Sequence, residues 1–273
     1  MKAIRKTVVY IILAFFCIIA LFPFVWSAIA ATHTNTQIYQ IQYSFQPGVE
    51  LLNNLTSLKE TFPVGKNMLN SILIAGIYTV GILLIDSMAG YAFEKYEFKG
   101  KKIIFAMCLM SMFIPTQVTL IPLFIEMTSF QMIDTYWSII LPGFASVFGV
   151  FLMKQNFASF PNELIESARI DGAGHFRIFA QIVLPTMKPA LASLGILSFV
   201  NQWGNFMWPL IALHEKEKYT MPLILSLMVQ PGYVTNYGAV MVGAMMALLP
   251  VLIFFLVFQK NFINGMLSGA VKG

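Results

Sequence analysis

Charged residues are scarce in this sequence of 273 residues. Asp, Glu, Lys and Arg make up 11% of the chain, whereas 58% of it is hydrophobic and the mean hydropathy is +0.75. A soluble domain carries about a quarter charged residues, so the composition excludes a soluble globular protein and predicts an integral membrane protein. The net charge of +5 does not indicate nucleic-acid binding, because the basic residues flank apolar segments.

Residues that carry catalysis or bind metals are also few. The two cysteines, Cys17 and Cys108, lie in apolar stretches and are expected to be small buried hydrophobes. The three histidines lack metal-site spacing, and the sequence has no GxxxxGK[ST] phosphate-binding loop. We therefore predict no catalytic residue, no metal site and no cofactor bound by this chain, which cannot hydrolyse ATP by itself.

Long apolar runs are what the sequence does contain. A helical span needs about twenty predominantly apolar residues. The candidate spans are 8–31, 71–93, 103–127, 137–153, 190–213 and 237–258. The runs do not alternate with period two, which excludes barrel strands, and the first run has no clear cleavage site, so it is expected to remain as a helix. The sequence predicts one all-α transmembrane domain over 1–273.

Lysine and arginine are unevenly distributed between the two sides that these spans define. Thirteen fall on the side of both termini and four on the other, which together are the 17 in the chain. The side with the excess is predicted to be cytoplasmic, which puts both termini and the loop 161–188 inside. The outer segment 32–67 is polar and long, so it is either a spacer or a docking surface for an extracytoplasmic partner.

The loop 161–188 is the longest charged, polar run between two apolar blocks. Its first part is predicted to be a short helix with Glu163, Glu166 and Arg169 on one face. The other face is predicted to be apolar, with Leu164, Ile165, Ala168 and Ile170. Gly172 should stop this helix, and a second short helix over 175–181 should end before Pro185. The result is either a compact knob that fits a socket on a soluble partner or an ordinary solvated loop.

The spacing within this loop is specific. Glu166-Ser167-Ala168 is followed after three residues by Gly172 and after nine more by Ile182-Val183-Leu184-Pro185. This resembles the EAA loop of ATP-driven (ABC) importer permeases, with Ser167 in place of the middle alanine. The runs TYWSIILPG (135–143), GVFLMKQNF (149–157) and GMLSGAVKG (265–273) resemble the carbohydrate branch of these permeases, and within it the maltose type. The resemblance is weakest over 32–61.

The resemblance implies a type I importer permease with six spans in the bacterial cytoplasmic membrane, surrounded by lipid, with the coupling loop between spans four and five. It implies a heterodimer with a second homologous permease, an ATP-binding-cassette ATPase dimer that hydrolyses ATP, and an extracytoplasmic solute-binding protein. The residues implied to couple to the ATPase are Glu163, Glu166, Ala168, Arg169, Asp171, Gly172, Ala173, Leu184 and Pro185. The implied function is half of the pore of a sugar importer, or alternatively of an importer for glycerol phosphate.

Polar residues inside the fifth span are the candidates for the substrate pathway. The run NQWGNFMWP (201–209) resembles the WNxFxWP element of the family. Asn201, Gln202 and Asn205 can form hydrogen bonds within the bilayer, and Phe206 offers a flat face that can stack on a sugar ring. These four are predicted to line the pathway, with contacts between helices as the alternative role. In an unbroken helix Trp203 turns away from the amides and should pack on a neighbouring helix.

Asp86 lies inside the second span, where a carboxylate is costly and indicates function by default. The inner loop 94–102 is about two turns away, so reaching that interface or pairing with one of its lysines is the simpler interpretation. A proton-driven carrier that uses Asp86 is an alternative function, opposed by the EAA spacing and by the absence of an inverted second half. A membrane enzyme is a third, opposed by the lack of a catalytic set.

Overall fold

The computed structural model describes residues 2–40, 45–230 and 236–270, and within them the side chains between residues 4 and 259. Lys272 and the end of the run 265–273 lie outside the described residues. The described chain is helical and contains no strand. Its helices are α1 (Lys2–Ala30), α2 (Asn35–Tyr39), α3 (Leu51–Thr61), α4 (Val64–Lys95), α5 (Lys101–Ser111), α6 (Thr116–Ser129), α7 (Tyr136–Ile140), α8 (Val147–Phe157), α9 (Asn162–Ile170), α10 (His175–Arg177), α11 (Lys188–Gly204), α12 (Met207–Ala212), α13 (Met221–Met228) and α14 (Tyr237–Ala270).

Four helical segments are continuous, long and apolar enough to cross a membrane. They are Ile4–Ala30, Val64–Lys95, His175–Gly204 and Tyr237–Gln259. Two further pairs of helices are long and apolar enough only when each pair is taken together. They are α5 with α6, which are bent by 103° relative to each other, and Tyr136–Gly143 with α8, which are bent by 41°. With each pair counted as one span there are six, so the predicted all-helical fold with six spans is confirmed.

Proline lies at both bends, and glycine accompanies it at the second. Pro115 precedes α6 in an extended conformation, with φ −60° and ψ 134°. Pro142 and Gly143 belong to a short 3₁₀ turn that follows α7, and α8 begins after Ser146. Proline lacks the N–H that would continue a helix, and such breaks are tolerated at membrane depth where neighbouring groups satisfy the backbone.

Helix α4 is the centre of the molecule and packs between α8 and α11. A cluster of buried side chains that includes Tyr91, Met153, Phe157 and Val183 lies at the end of α4 near α9 and α10. We call this end the knob side. At the opposite end, the far side, a second cluster joins α3, α13 and α14.

Helix α1 contacts the rest of the chain at its far-side end. Ala30 and Ala31 are buried there, and Nδ2 of Asn54 in α3 donates to the carbonyls of Ala31 and His33, at 2.9 Å each. The apolar stretch of α1 is otherwise exposed. Cys17, which we expected to be buried, is exposed with it, and Cys108 is half-buried.

The fifth span takes a different course from the predicted one. The second short helix does not end before Pro185, because α10, a π-helical turn (Ile178–Val183), a 3₁₀ turn (Leu184–Met187) and α11 form one continuous segment. The changed hydrogen-bond pattern accommodates a proline that cannot donate. At the other end the helix stops at Gly204, short of the predicted boundary at 213, because Asn205 is extended (φ −71°, ψ 117°).

Candidate functional site

The segment with the EAA spacing forms two short helical pieces joined by a tight turn on the knob side. The turn is made at Gly172, whose φ of +80° lies in the left-handed region. The Ala173 N–H donates to the Ala168 carbonyl at 2.9 Å, and the Gly172 N–H donates to the Arg169 carbonyl at 3.0 Å. These paired bonds define a Schellman motif, so the predicted glycine elbow is present. We call residues 162–177 the knob.

The knob buries one narrow face and exposes its charges. Ile165 and Ala168 pack into the cluster beneath α9, and Ala173 and Leu184 are half-buried against the same cluster. The other residues predicted to couple to an ATPase are exposed: Glu163, Glu166, Arg169, Asp171, Gly172 and Pro185. The nine predicted residues therefore divide into six that present a surface and three that support it.

Two residues of the predicted apolar face of α9 lie on the surface. Leu164 is 50% exposed and Ile170 is 87% exposed, because only positions 165 and 168 of this short helix point at the core. Phe176, in α10, is 71% exposed on the same knob. Exposed apolar side chains rimmed by polar and charged ones are typical of an interaction surface.

The end of α4 holds both halves of the knob. Nζ of Lys95 donates to the Phe160 carbonyl at 2.6 Å and to Oδ1 of Asn162 at 2.8 Å, at the start of α9. Oη of Tyr96 and Nδ1 of His175, at the start of α10, are 2.9 Å apart. These contacts could not be predicted from the sequence, because partners 65 or more positions apart share no periodic signal. They fix the knob to the helix at the centre of the fold.

The polar run of the fifth span is divided between surface and interior. Asn201 and Phe206 are exposed and Asn205 is half-buried, whereas Gln202 is buried and does not share their surface. Asn205 follows the last helical residue, so the amides are not two positions of one unbroken helix, as we had assumed. The role of all four in the pathway stays a prediction.

Trp203 packs on neighbouring residues, as predicted. Its indole is buried and stacks on Phe199, with ring centroids 5.7 Å apart. Nε1 donates to the Ala247 carbonyl of α14 at 3.1 Å. Trp203 therefore joins α11 to α14.

Asp86 does not reach the interface or pair with a lysine of the inner loop, so that interpretation is wrong. Its side chain is completely buried between α4 and α8. Oδ1 accepts a hydrogen bond from the Ser146 N–H at 3.1 Å, while Oδ2 has no hydrogen-bond partner among the described residues. The carboxyl thus lies at the amino end of α8.

A charged cluster on the far side was not anticipated from the sequence. Oδ1 of Asp134 accepts from the His214 N–H at 2.9 Å, and Oδ2 accepts from Nζ of Lys218 at 2.7 Å. Burial opposes the charged form of Asp134, but the donors of His214, Lys218 and Glu215 outweigh it and hold the pKa of this carboxyl below its usual value. The cluster joins the turn before α7 to the loop that precedes α13.

Six apolar spans, α4 among them, and a knob of two short helical pieces at one end define a multi-span membrane protein. Residues 86–268 match the family of binding-protein-dependent transport system inner membrane components. The chain belongs to this family, and it is the membrane-spanning permease of an ABC importer.

Relatives match over nearly the whole length. The arabinooligosaccharides transport system permease protein AraQ of Halalkalibacterium halodurans is 36% identical, over 95% of this chain and 94% of its own. The lactose transport system permease protein LacG of Rhizobium radiobacter is 34% identical, over 99% and 98%. The sn-glycerol-3-phosphate transport system permease protein UgpE of Escherichia coli is 30% identical, over 92% of each.

A solved structure supports the fold. A chain of a bacterial ABC transporter involved in the import of the acidic polysaccharide alginate superposes with a TM-score of 0.80. The match covers 96% of this chain and 97% of that one, at 22% identity. At this identity the likeness concerns the fold, which is that of an ABC importer permease.

Proposed function

We propose that this chain forms one half of the pore of an ATP-driven sugar importer and that the knob is where a separate ATPase drives it. The observation that carries the proposal is the knob itself. Ile170 and Phe176 are presented to solvent, while Lys95 and Tyr96 fix the base of the knob to α4. Such a surface can transmit force, because it cannot move without moving the helix that carries it.

The continuous helical segment from His175 to Gly204 supports a route for that force. Its first residues belong to the knob, and Asn205 follows its last residue. At about 1.5 Å per residue, thirty residues of helix connect the two regions. Closure of two ATPases on ATP would draw two knobs together and tilt this segment, and the tilt would open or close the pore at Asn201 and Asn205.

The assignment of the knob as the ATPase-binding surface can be tested by a change that detaches the ATPase but leaves the permease in the membrane. Ile170→Glu puts a charge on the exposed apolar part of the knob and should reduce recovery of the ATPase with the tagged permease. Val49→Glu is the matched control, since Val49 is 89% exposed and lies on the far side. Equal recovery of the ATPase with both variants would contradict the assignment.

The second permease and the solute-binding protein belong to the same proposal. Apolar side chains along α1 and α5 are exposed within this chain, which leaves surface for lipid and for a homologous subunit. The lysine and arginine distribution supports a cytoplasmic knob and cytoplasmic termini, with the binding protein docking on the far side. A reporter fused after Lys102 should then be cytoplasmic, and one at Asn54 or Glu215 should be external; the inverse result would remove the ATPase assignment.

A sugar, rather than glycerol phosphate, is the proposed substrate. The relatives named for arabinooligosaccharides and lactose are 36% and 34% identical, against 30% for the one named for glycerol phosphate. The amides of Asn201, which is exposed, and Asn205, which is half-buried, and the exposed ring of Phe206 suit a neutral polyol, whereas a phosphate calls for cationic donors. Uptake of labelled arabinooligosaccharide, lactose and glycerol 3-phosphate by the reconstituted complex tests this, and transport of the phosphate alone would contradict it.

A proton-driven carrier is less well supported. Asp86 is buried against α8 and bonded to its backbone, which suits a residue that holds two helices together. Among the described residues, no group of His, Cys, Asp and Glu is placed to hold a metal ion. The sequence contains no GxxxxGK[ST] phosphate-binding loop, and we propose a transport subunit without an ATPase site of its own, whose energy comes from its partner.

A further inference from the structure

The contact between α4 and α8 contains a feature that the proposed function does not use. Asp86, Gly90 and Glu94 recur at intervals of four and so lie on one face of α4. Glu94 forms an ion pair with Lys154 of α8 at 2.7 Å. At Gly90, an added Cβ would lie 2.8 Å from the backbone nitrogen of Lys154, so the two helices are in close contact there. Asp86 makes the third contact of this face.

Asp86 meets the amino end of α8, where a helix has backbone N–H groups without helical partners. Oδ1 accepts from the Ser146 N–H, and the Ser146 hydroxyl in turn accepts from the Gly149 N–H at 3.3 Å. The helix dipole favours a negative or hydrogen-bond-accepting group at this position. Oδ2 is buried and unpartnered among the described residues, so the whole carboxyl is directed into this helix end.

Gly149 makes room for the carboxyl. A Cβ built on Gly149 would overlap Oδ2 of Asp86. The two residues are therefore complementary in size, although 63 positions separate them in the sequence.

We propose that Asp86 is a positioning residue of the transport cycle: its buried carboxyl, seated on Ser146 and Gly149, fixes the amino end of α8 against α4. Helix α8 ends at Phe157, and the knob begins at Asn162. A shift of the amino end of α8 against α4 is therefore passed to the knob through the face of α4 that also carries the Glu94–Lys154 pair. The consequence for transport rests on the proposed function, but the contact between the helices does not.

The first experiment measures uptake by the assembled complex with Asp86→Ala and Asp86→Asn. Asp86→Ala should reduce uptake by roughly tenfold, the size expected for the loss of one hydrogen bond. Asp86→Asn keeps an acceptor oxygen for the Ser146 N–H and should retain most of the parent's uptake. Parent-like uptake by Asp86→Ala would overturn the proposal, and so would an Asn variant as inactive as the Ala variant, which would indicate that the carboxyl carries protons.

The second experiment is a double-mutant cycle on the purified permease, read as thermal unfolding. Gly149→Ala should lower Tm in the parent and less in the Asp86→Ala background, because the overlap with the carboxyl is then gone and only the Cβ of residue 86 remains, 3.1 Å away. Gly65→Ala is the matched control, since Gly65 is also in a helix but has open space around it. Additive effects of Asp86→Ala and Gly149→Ala would overturn the contact. This cycle needs no substrate, so its result does not depend on the proposed function. If the proposed function is wrong, the parent complex will not take up sugar, whatever the outcome of the cycle.

Discussion

Replacing Gly172 tests whether the rigidity of the knob turn matters for coupling. Gly172 has φ +80°, and an added Cβ would meet no atom within 4 Å. Gly172→Ala is therefore free of steric overlap and carries only the cost of the left-handed backbone, about 1–2 kcal/mol. Gly174→Ala is the matched control, because Gly174 also has open space but an ordinary φ of −69°.

A destabilisation of that size should increase local opening of the turn by roughly 5- to 30-fold. The amides of residue 172 and Ala173, which bond to the Arg169 and Ala168 carbonyls, should exchange hydrogen faster by that factor in Gly172→Ala. Sugar uptake per ATP hydrolysed should fall in the same variant, while Gly174→Ala resembles the parent. Gly172→Asn should be milder than the alanine variant, since Asn tolerates this backbone region. Unchanged exchange in Gly172→Ala, or equal damage from Gly174→Ala, would refute the reasoning.

Further variants test the rest of the chain. Glu166→Lys should leave the protein in the membrane but weaken ATPase recovery, because the reversed charge would repel a basic socket; normal recovery and uptake would contradict this. Asn201→Ala and Asn205→Ala should each weaken uptake at limiting sugar by about 1–2 kcal/mol at normal complex yield. Trp203→Phe should instead lower Tm, since it removes the bond to the α14 backbone; lost uptake at normal yield, with both Asn variants like the parent, would reverse the assignment. The stability that Asp134 contributes is present above the pKa of an unfolded aspartate, about 3.9, and is lost as the pH falls through the lowered folded pKa. Asp134→Asn should therefore lower Tm at pH 7 and lower it less as the pH falls below about 3.9 and through the lowered folded pKa; an equal loss of Tm at every pH would contradict the ion pair.

The number of spans and the elbow at Gly172 could be predicted because both follow from local rules. Apolar length defines a span, and a left-handed helix end selects glycine. The bends at Pro115 and Pro142 have the same origin, since a proline removes a helical donor. The angles of 103° and 41° are set by packing, and the sequence contains no measure of them.

The errors concern tertiary contacts. Pro185 was expected to follow the end of a helix, but a π turn and a 3₁₀ turn carry the segment past it. Ile170 was placed on the apolar face of α9 by periodicity alone, but the sequence of a nine-residue helix does not show how much of that face is buried, and Ile170 is exposed. Asp86 was expected to reach the inner interface or to pair with a lysine of the nearby inner loop, whereas it accepts a hydrogen bond from Ser146, 60 positions away.

The central claim is that a separate ATPase powers sugar movement through this chain by way of the knob. The most direct test is uptake into proteoliposomes that contain the complete complex and its binding protein, with ATP inside and a protonophore present. Uptake should require ATP, persist without a proton gradient, and be lost when Ile170→Glu detaches the ATPase. Uptake that continues without ATP and stops with the protonophore would contradict the account.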